Sequence, residues 1–363
     1  MTTAVFDNGS KYCRAGIAGD DNPQVVVPSI VGCPRHKSSM KGLTYQDTYV
    51  GFDAQARRGI LELQYPVERG IIADWDTMAA LWRHIYAQDL RIPSEDYSAL
   101  LTETLLPPPG QRQKTFEVFF EDFGVRSLSL ASQGVLSLYC SGRTTGLVVD
   151  VGDGACQVTP VSEGFVLRRN VARLDLAGRD LTHSLMQALC DKGHSFRTST
   201  DREIAYDIKE QLCYVALSYV DETKKEIEFP FELPDGEVIR IGREVFCCPE
   251  GLFQPGLVGS DFSGVHECAF NVLLNCDVDL RNVFCENVLL AGGTARMKGF
   301  KDRMSRELEG LIGGSVKVSQ GIEEHSTWIG ASILGSLANY HYQFIQKEDY
   351  FEVGPSIALR PSI

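Results

Sequence analysis

Two aspartates, each closing an apolar run and followed by glycine, are the residues of this chain best suited to chemistry. In residues 144–160, TTGLVVDVGDGACQVTP, a buried-strand pattern from Leu147 runs into Asp150. Gly152 and Gly154 then let the backbone turn tightly, with Asp153 between them, before Val158 resumes the apolar pattern. The amino-terminal stretch TTAVFDNGSKYCRAGIAG repeats the device: Ala4 to Phe6, then Asp7, then Gly9 and Ser10, then a return through Cys13 to Ile17. Glycines in such turns expose consecutive backbone N–H groups to an anionic phosphate, and a carboxylate at each strand end suits a hydrated divalent cation. Two such loops facing each other would clamp a nucleotide's phosphate tail. Taken singly, DNG and GDG also read as ordinary hairpin turns; their repetition with like flanks favours the phosphate reading. A third glycine loop, VLLAGGTARMKGF, ends an apolar run at Gly292, Gly293 and Thr294, where backbone can lie against a flat ligand such as a nucleoside.

The elements around these loops are expected as follows. DDNPQVVVPSIVGCPRH reads as turn, strand and turn, and KSSMKGLTYQDT after it as a polar surface loop or, with Met40 and Leu43 inside it, an interaction finger. Trp75, Met78, Leu81, Trp82 and Ile85 are spaced for an amphipathic helix over 74–90 with Asp74 as N-cap. SALLTETLLPPPGQ is a short strand stopped by the prolines 107–109, residues 114–123 form a helix, and 128–138 form a mostly apolar helix carrying Gln133. Gln133 reads either as satisfying backbone groups or as a site residue. Helices are expected from about Gly178, over 202–217, from Glu267 and over the small-residue stretch 326–337, with a hairpin on Asp235 and Gly236. Lys209 and Glu210 read from the pattern alone as a solvated helix face. The adjacent Cys247 and Cys248 suggest opposite faces of a strand rather than a metal site.

A chain of 363 residues is long for one core, which predicts two domains or one deeply lobed body. No uninterrupted apolar segment approaches the roughly 20 residues of a membrane helix, and the start carries no secretory pattern, so a cytosolic or nuclear protein is expected. A net charge of -13 disfavours passive nucleic-acid binding but not basic partners, and eleven cysteines without a CxxC pair suit reduced thiols.

The ordered set DNGS, AGDDNP, PSIVG, QGVLSLYCSGRTTG, DVGDG, LDLAGRDLT, DIKEQLCYVAL, CPEGLFQP, LLAGGT, WIGASIL and GPSI resembles the actin family over essentially the whole chain. The resemblance implies an α/β, actin-like ATPase fold of two related lobes, or four subdomains, around a nucleotide cleft. Subdomain 1 would take 1–28, 66–140 and 326–363; subdomain 2, 29–65 with a DNase-loop-like finger at about 36–47; subdomain 3, 141–176 and 261–325; and subdomain 4, 177–260. It implies ATP or ADP with Mg2+ (Ca2+ in vitro) held through water by Asp7 and Asp150. Gly9, Ser10, Lys11, Arg14, Gly152, Asp153 and Gly154 would lie at the phosphates, and Gly178, Lys209, Glu210, Gly292, Gly293 and Thr294 around the nucleoside. Gln133 would position an attacking water, with Asp7, Asp150 and Gln157 completing the hydrolytic set. The reaction implied is slow, in-line hydrolysis to ADP and phosphate, coupled to assembly. Met40 would insert into a cleft of the next subunit lined by Tyr139, Gly142, Ile329, Ile333 and Leu337. Asp277 and Asp279 would lie on the longitudinal surface.

Several positions depart from the actin pattern. Lys11 stands where actin has glycine, Arg14 where it has a phosphate-binding lysine, Val151 where it has a serine, Gln157 where it has a histidine and Glu324 where it has a lysine near the adenine. Nucleotide binding is expected to survive and hydrolysis to slow. The acidic N-terminal extension used for myosin is missing, Arg69 replaces a modified histidine, Arg168 and Arg169 put two charges on an intersubunit surface, and Gln343 and Phe344 alter the edge of the cleft. The first reading is a divergent, filament-forming cytoskeletal actin of the cytoplasm, with profilin- or cofilin-like partners and possible myosin or dynein-associated complexes. The second is an actin-related protein fixed in a larger complex of cytoplasm, cilium or nucleus, such as a dynein arm, a dynactin-like assembly or a chromatin remodeller, with largely structural ATP. A sugar kinase of the same superfamily fits less well, because no substrate-accepting insertion stands between the lobes.

Overall fold

Thr3–Asn8 runs antiparallel to Tyr12–Ile17, with Asp7 directly opposite Arg14, so the first acidic run closes into a hairpin. Gly146–Val151 does the same with Cys156–Ser162, with Asp150 opposite Gln157. In this computed structural model, which describes residues 2–34, 48–321 and 324–360, each hairpin is the heart of a separate sheet. The chain divides accordingly into two units, Met1–Thr144, Glu163–Val166 and Gly321–Ile363 against Thr145–Ser162 and Leu167–Gln320.

In the first unit, Thr3–Asn8 pairs in parallel with Ser98–Glu103, and that strand in parallel with Ser127–Ser132. Val25–Pro28 flanks the hairpin's return strand. In the second, Gly146–Val151 pairs in parallel with Val288–Ala291 and that with Val318–Gln320, while Ala172–Leu174 flanks the return strand. The two sheets therefore share one strand order. The parallel strands are buried on both faces, which explains their unbroken apolar runs.

Helices Gln133–Cys140 and Ser326–Ser336 pack on the first sheet around Val5, Leu100, Leu136 and Trp328, whose indole donates to the Val5 carbonyl at 3.2 Å. The small-residue pattern of 326–337 is used: a Cβ on Gly330 would lie 1.9 Å from the Leu136 carbonyl oxygen. An aromatic group including Phe6, Trp82, Tyr86 and Phe119 fills another core of this unit. A small sheet of Val31–Pro34, Tyr49–Val50 and Leu61–Gln64 has its own core of Ile30, Ala54 and Leu61. The second unit has one core on its sheet and another around Leu185, Leu189, Ile208 and Phe246.

Four expectations change. Residues 128–138 are not one helix: Ser127–Ser132 is a strand and the helix begins at Gln133, because a short apolar run suits a doubly buried strand as well as a helix. The helix expected over 202–217 is Ser199–Leu212. It stops there because Cys213 turns extended and the Tyr214 and Val215 N–H groups bond to Val245 and Lys298 carbonyls. The helices expected over 74–90 and 114–123 both end in π-helical turns, Ile85–Leu90 and Val118–Asp122. Cys247 and Cys248 lie on a helix, Glu244–Glu250, not a strand. None of the eleven cysteines is in a disulfide, and burial pushes the Cys248 thiol up to about 12.

Asp74 caps its helix by accepting from Thr77 N–H, and the hairpin at Asp235 and Gly236 forms between Phe229–Glu232 and Val238–Ile241. Among the described residues no helix is long and apolar enough to cross a membrane. The finger at 36–47, with Met40, lies outside the described residues.

Candidate functional site

In the first unit the tight turn puts the Gly9 N–H on the Tyr12 carbonyl at 3.1 Å, and a Cβ on Gly9 would come within 2.7 Å of that oxygen. Ser29 Oγ donates to the Gly9 carbonyl at 2.7 Å and Gly70 N–H to Ser10 Oγ at 2.9 Å, so neighbouring segments hold the loop. Lys11 is partly buried at its end. Asp7 is 4% exposed and fully engaged. Its Oδ1 accepts from Thr102 Oγ1 at 2.8 Å and Gln133 Nε2 at 3.3 Å, and its Oδ2 from Arg14 Nη1 at 3.1 Å. Gln133 opens its helix with the amide on side chains, Asp7 and Thr102, rather than on backbone groups. Arg14 reaches further, donating from Nε to His325 Nδ1 at 3.0 Å.

The second loop is tied down by two glycine-rich partners. The Gly152 N–H bonds the Ala155 carbonyl at 3.1 Å. The Gly152 carbonyl accepts from Gly178 N–H at 3.1 Å and Thr294 Oγ1 at 2.7 Å. Arg179 N–H donates to the Asp153 carbonyl at 2.8 Å, and its guanidinium lies 3.9 Å from the Asp153 carboxylate. Gly154 is buried; Asp150 is partly buried, with Gln157 only 9% exposed across the ladder. Val151 turns wholly into the core of its sheet.

The glycines are required by contact. A Cβ on Gly178 would lie 2.5 Å from Thr294 Oγ1 and 3.1 Å from Lys209 Nζ, and one on Gly292, which has φ +85°, would lie 2.4 Å from Asp150 Oδ1. Lys209 is not on a solvated face. It is 2% exposed, donates to the Gly178 carbonyl at 3.1 Å and lies 3.4 Å from the Glu210 carboxylate. Glu210 is exposed. Lys209, Glu210, Gly293, Thr294, Tyr214 and Met297 help line one cavity of about 600 Å³, within the range of small-molecule sites.

Of the assembly residues, Tyr139 and Ile329 are half-buried on the packed helices, and Ile333 and Leu337 are 43% and 50% exposed beside them in sequence. The sequence reading missed Thr102, His325 and Arg179. Thr102 carried a usable signal, a polar residue at the carboxyl end of a buried parallel strand, where α/β sheets place ligands. His325 carried none.

Two halves with one strand order, each ending its central strand in an aspartate and a glycine turn, and each fed by a parallel crossover, make the actin-like ATPase fold. The sequence model of the actin family matches residues 1–361, and the chain belongs to the actin family. It is thus a cytoskeletal or actin-like ATP-binding protein, of a family that generally binds nucleotide with a divalent metal. The residues fit that pair. The Gly293 backbone is open, with nothing within 4 Å of where a Cβ would lie, and it shares the cavity with Lys209 and Thr294. No three His, Cys, Asp or Glu side chains converge among the described residues, so a divalent ion bound with a nucleotide would draw its ligands mainly from water and phosphate oxygens.

Proposed function

We propose that the chain is a divergent actin that binds Mg–ATP, hydrolyses it slowly and assembles with copies of itself into filaments. The observation that carries the nucleotide reading is the cavity of about 600 Å³ on which Lys209, Glu210, Gly293 and Thr294 converge, with Thr294 bonded to the second loop. Each loop contacts phosphate, Gly9 and Ser10 in one and Gly152, Asp153 and Gly154 in the other. Lys11 and Arg14 add positive charge, and Asp7 and Asp150 hold the hydrated Mg2+. Gln133 orients the attacking water. Gln157 hydrogen-bonds but carries no titratable proton, which slows hydrolysis. The separate cores support the four-subdomain division given above. The exposed Ile333 and Leu337, with Tyr139 and Ile329, form the face that receives Met40 of the next copy, and profilin- or cofilin-like proteins dock nearby.

The fixed-subunit reading is favoured by one observation: beside Asp150, Val151 is sealed in the core and offers no hydroxyl toward a phosphate. Sedimentation of the purified full chain with Mg–ATP decides between them. Pelleting above a critical concentration, with phosphate release slower than conventional actin's, is expected. A monomer that persists at every concentration overturns the filament reading, and phosphate release as fast as conventional actin's overturns the slowing.

A further inference from the structure

We infer that His325 is a positioning residue for phosphate binding, which fixes the Arg14 guanidinium beside the first loop; this rests on the nucleotide reading above. A guanidinium is planar, so holding two of its nitrogens fixes the direction of the third. Here Nη1 donates to Asp7 Oδ2 at 3.1 Å and Nε to His325 Nδ1 at 3.0 Å. Both acceptors are themselves anchored. Asp7 is gripped by Thr102 and Gln133. The His325 backbone carbonyl accepts from Ile329 N–H at 2.9 Å as the helix Ser326–Ser336 begins, and Trp328 of that helix bonds the Val5 carbonyl on the strand carrying Asp7.

Nη2, the remaining nitrogen, makes no hydrogen bond to a described residue, and the Arg14 side chain is only 19% exposed. Nη1 lies 3.7 Å from where a Cβ on Gly9 would sit, which places the guanidinium against the phosphate loop. Accepting from Nε–H requires a lone pair on Nδ1, so the imidazole here is neutral with its proton on Nε2. A lysine has no Nε–H fork and could not use the histidine in this way. The pair therefore pre-orients a cation toward phosphate and makes no contact of its own with a nucleoside.

The test is equilibrium binding of ATP, ADP and adenosine to the full chain in Mg2+. His325→Phe is expected to weaken ATP and ADP about tenfold, the scale of one lost hydrogen bond to a charged group, and to leave adenosine unchanged. His325→Gln, which keeps an acceptor, should restore most of the affinity, and His325→Phe should add nothing in an Arg14→Lys background. Equal weakening of adenosine, an undiminished effect in the Arg14→Lys background, or unchanged ATP affinity in both His325 variants overturns the positioning role while the nucleotide reading stands. A wild-type chain that binds neither ATP nor ADP overturns both.

Discussion

At Gly292 two constraints meet in one residue. Its backbone is left-handed, which costs an L side chain about 1–2 kcal/mol, and the space beside it is taken by Asp150 Oδ1 and the Val151 carbonyl, each 2.4 Å from an added Cβ. Gly292→Ala should therefore push the Asp150 carboxylate out of place, lower the thermal midpoint and weaken nucleotide binding at least tenfold. Unchanged affinity by titration would show that Asp150 does not depend on this approach. At this scale the sequence was legible wherever chemistry follows chain order. Asp7, Gly9 and Ser10 lie in one hairpin, so the turn composition showed them, while Arg14 came only with the family resemblance. Thr102 and His325 stand 95 and 311 residues from the groups they bond, and no local pattern could have paired them. Lys209 misled for a related reason: on its own helix it reads as polar surface, and only the approach of Gly178 buries it.

Among the elements, the crossing of Gln133–Cys140 and Ser326–Ser336 is set by a single missing side chain. A methyl on Gly330 would stand 1.9 Å from the Leu136 carbonyl oxygen, so Gly330→Ala must part the two helices. Overpacking of this kind costs about 1–3 kcal/mol, occasionally more, and because the helix pushed away begins at Gln133, the thermal midpoint and phosphate release should fall together; an unchanged midpoint would refute the close crossing. The helix Val265–Asn275 adds a pH dependence. Burial holds His266 below its ordinary value of 6.5, opposed by Glu307 and Glu267, while Arg303 lowers it further. Its folded pKa lies below the unfolded one, so the unfolded chain binds more protons, and this stability is present above the unfolded value and lost as pH falls. Thermal unfolding at about pH 7.5 and about pH 5.5 should show a drop in acid that His266→Gln reduces. Helix and strand types followed from periodicity where a face stays exposed; they failed at 128–132, where both faces are covered and the period vanishes.

For the whole molecule, charge governs association. A net charge of -13 means that copies of this chain repel one another, and the repulsion falls as salt shortens the screening length from about 30 Å at 0.01 M to about 8 Å at physiological strength. Assembly in Mg–ATP should accordingly have a critical concentration that drops as salt rises to that range, measured by light scattering. A critical concentration that rises over the same range would mean that attraction between unlike charges, such as Arg168 and Arg169 against Asp277 and Asp279, dominates the contact instead.

The sequence by itself determined the repeated hairpins, the glycine turns and the order of motifs that place the chain in its family, because each of these is local: an apolar run, a carboxylate and a flexible turn within a few residues. The tertiary structure alone decided which distant side chains complete each loop, which apolar runs are strands and which lysine is buried. Those outcomes depend on what packs against a segment, and a segment does not encode its neighbours.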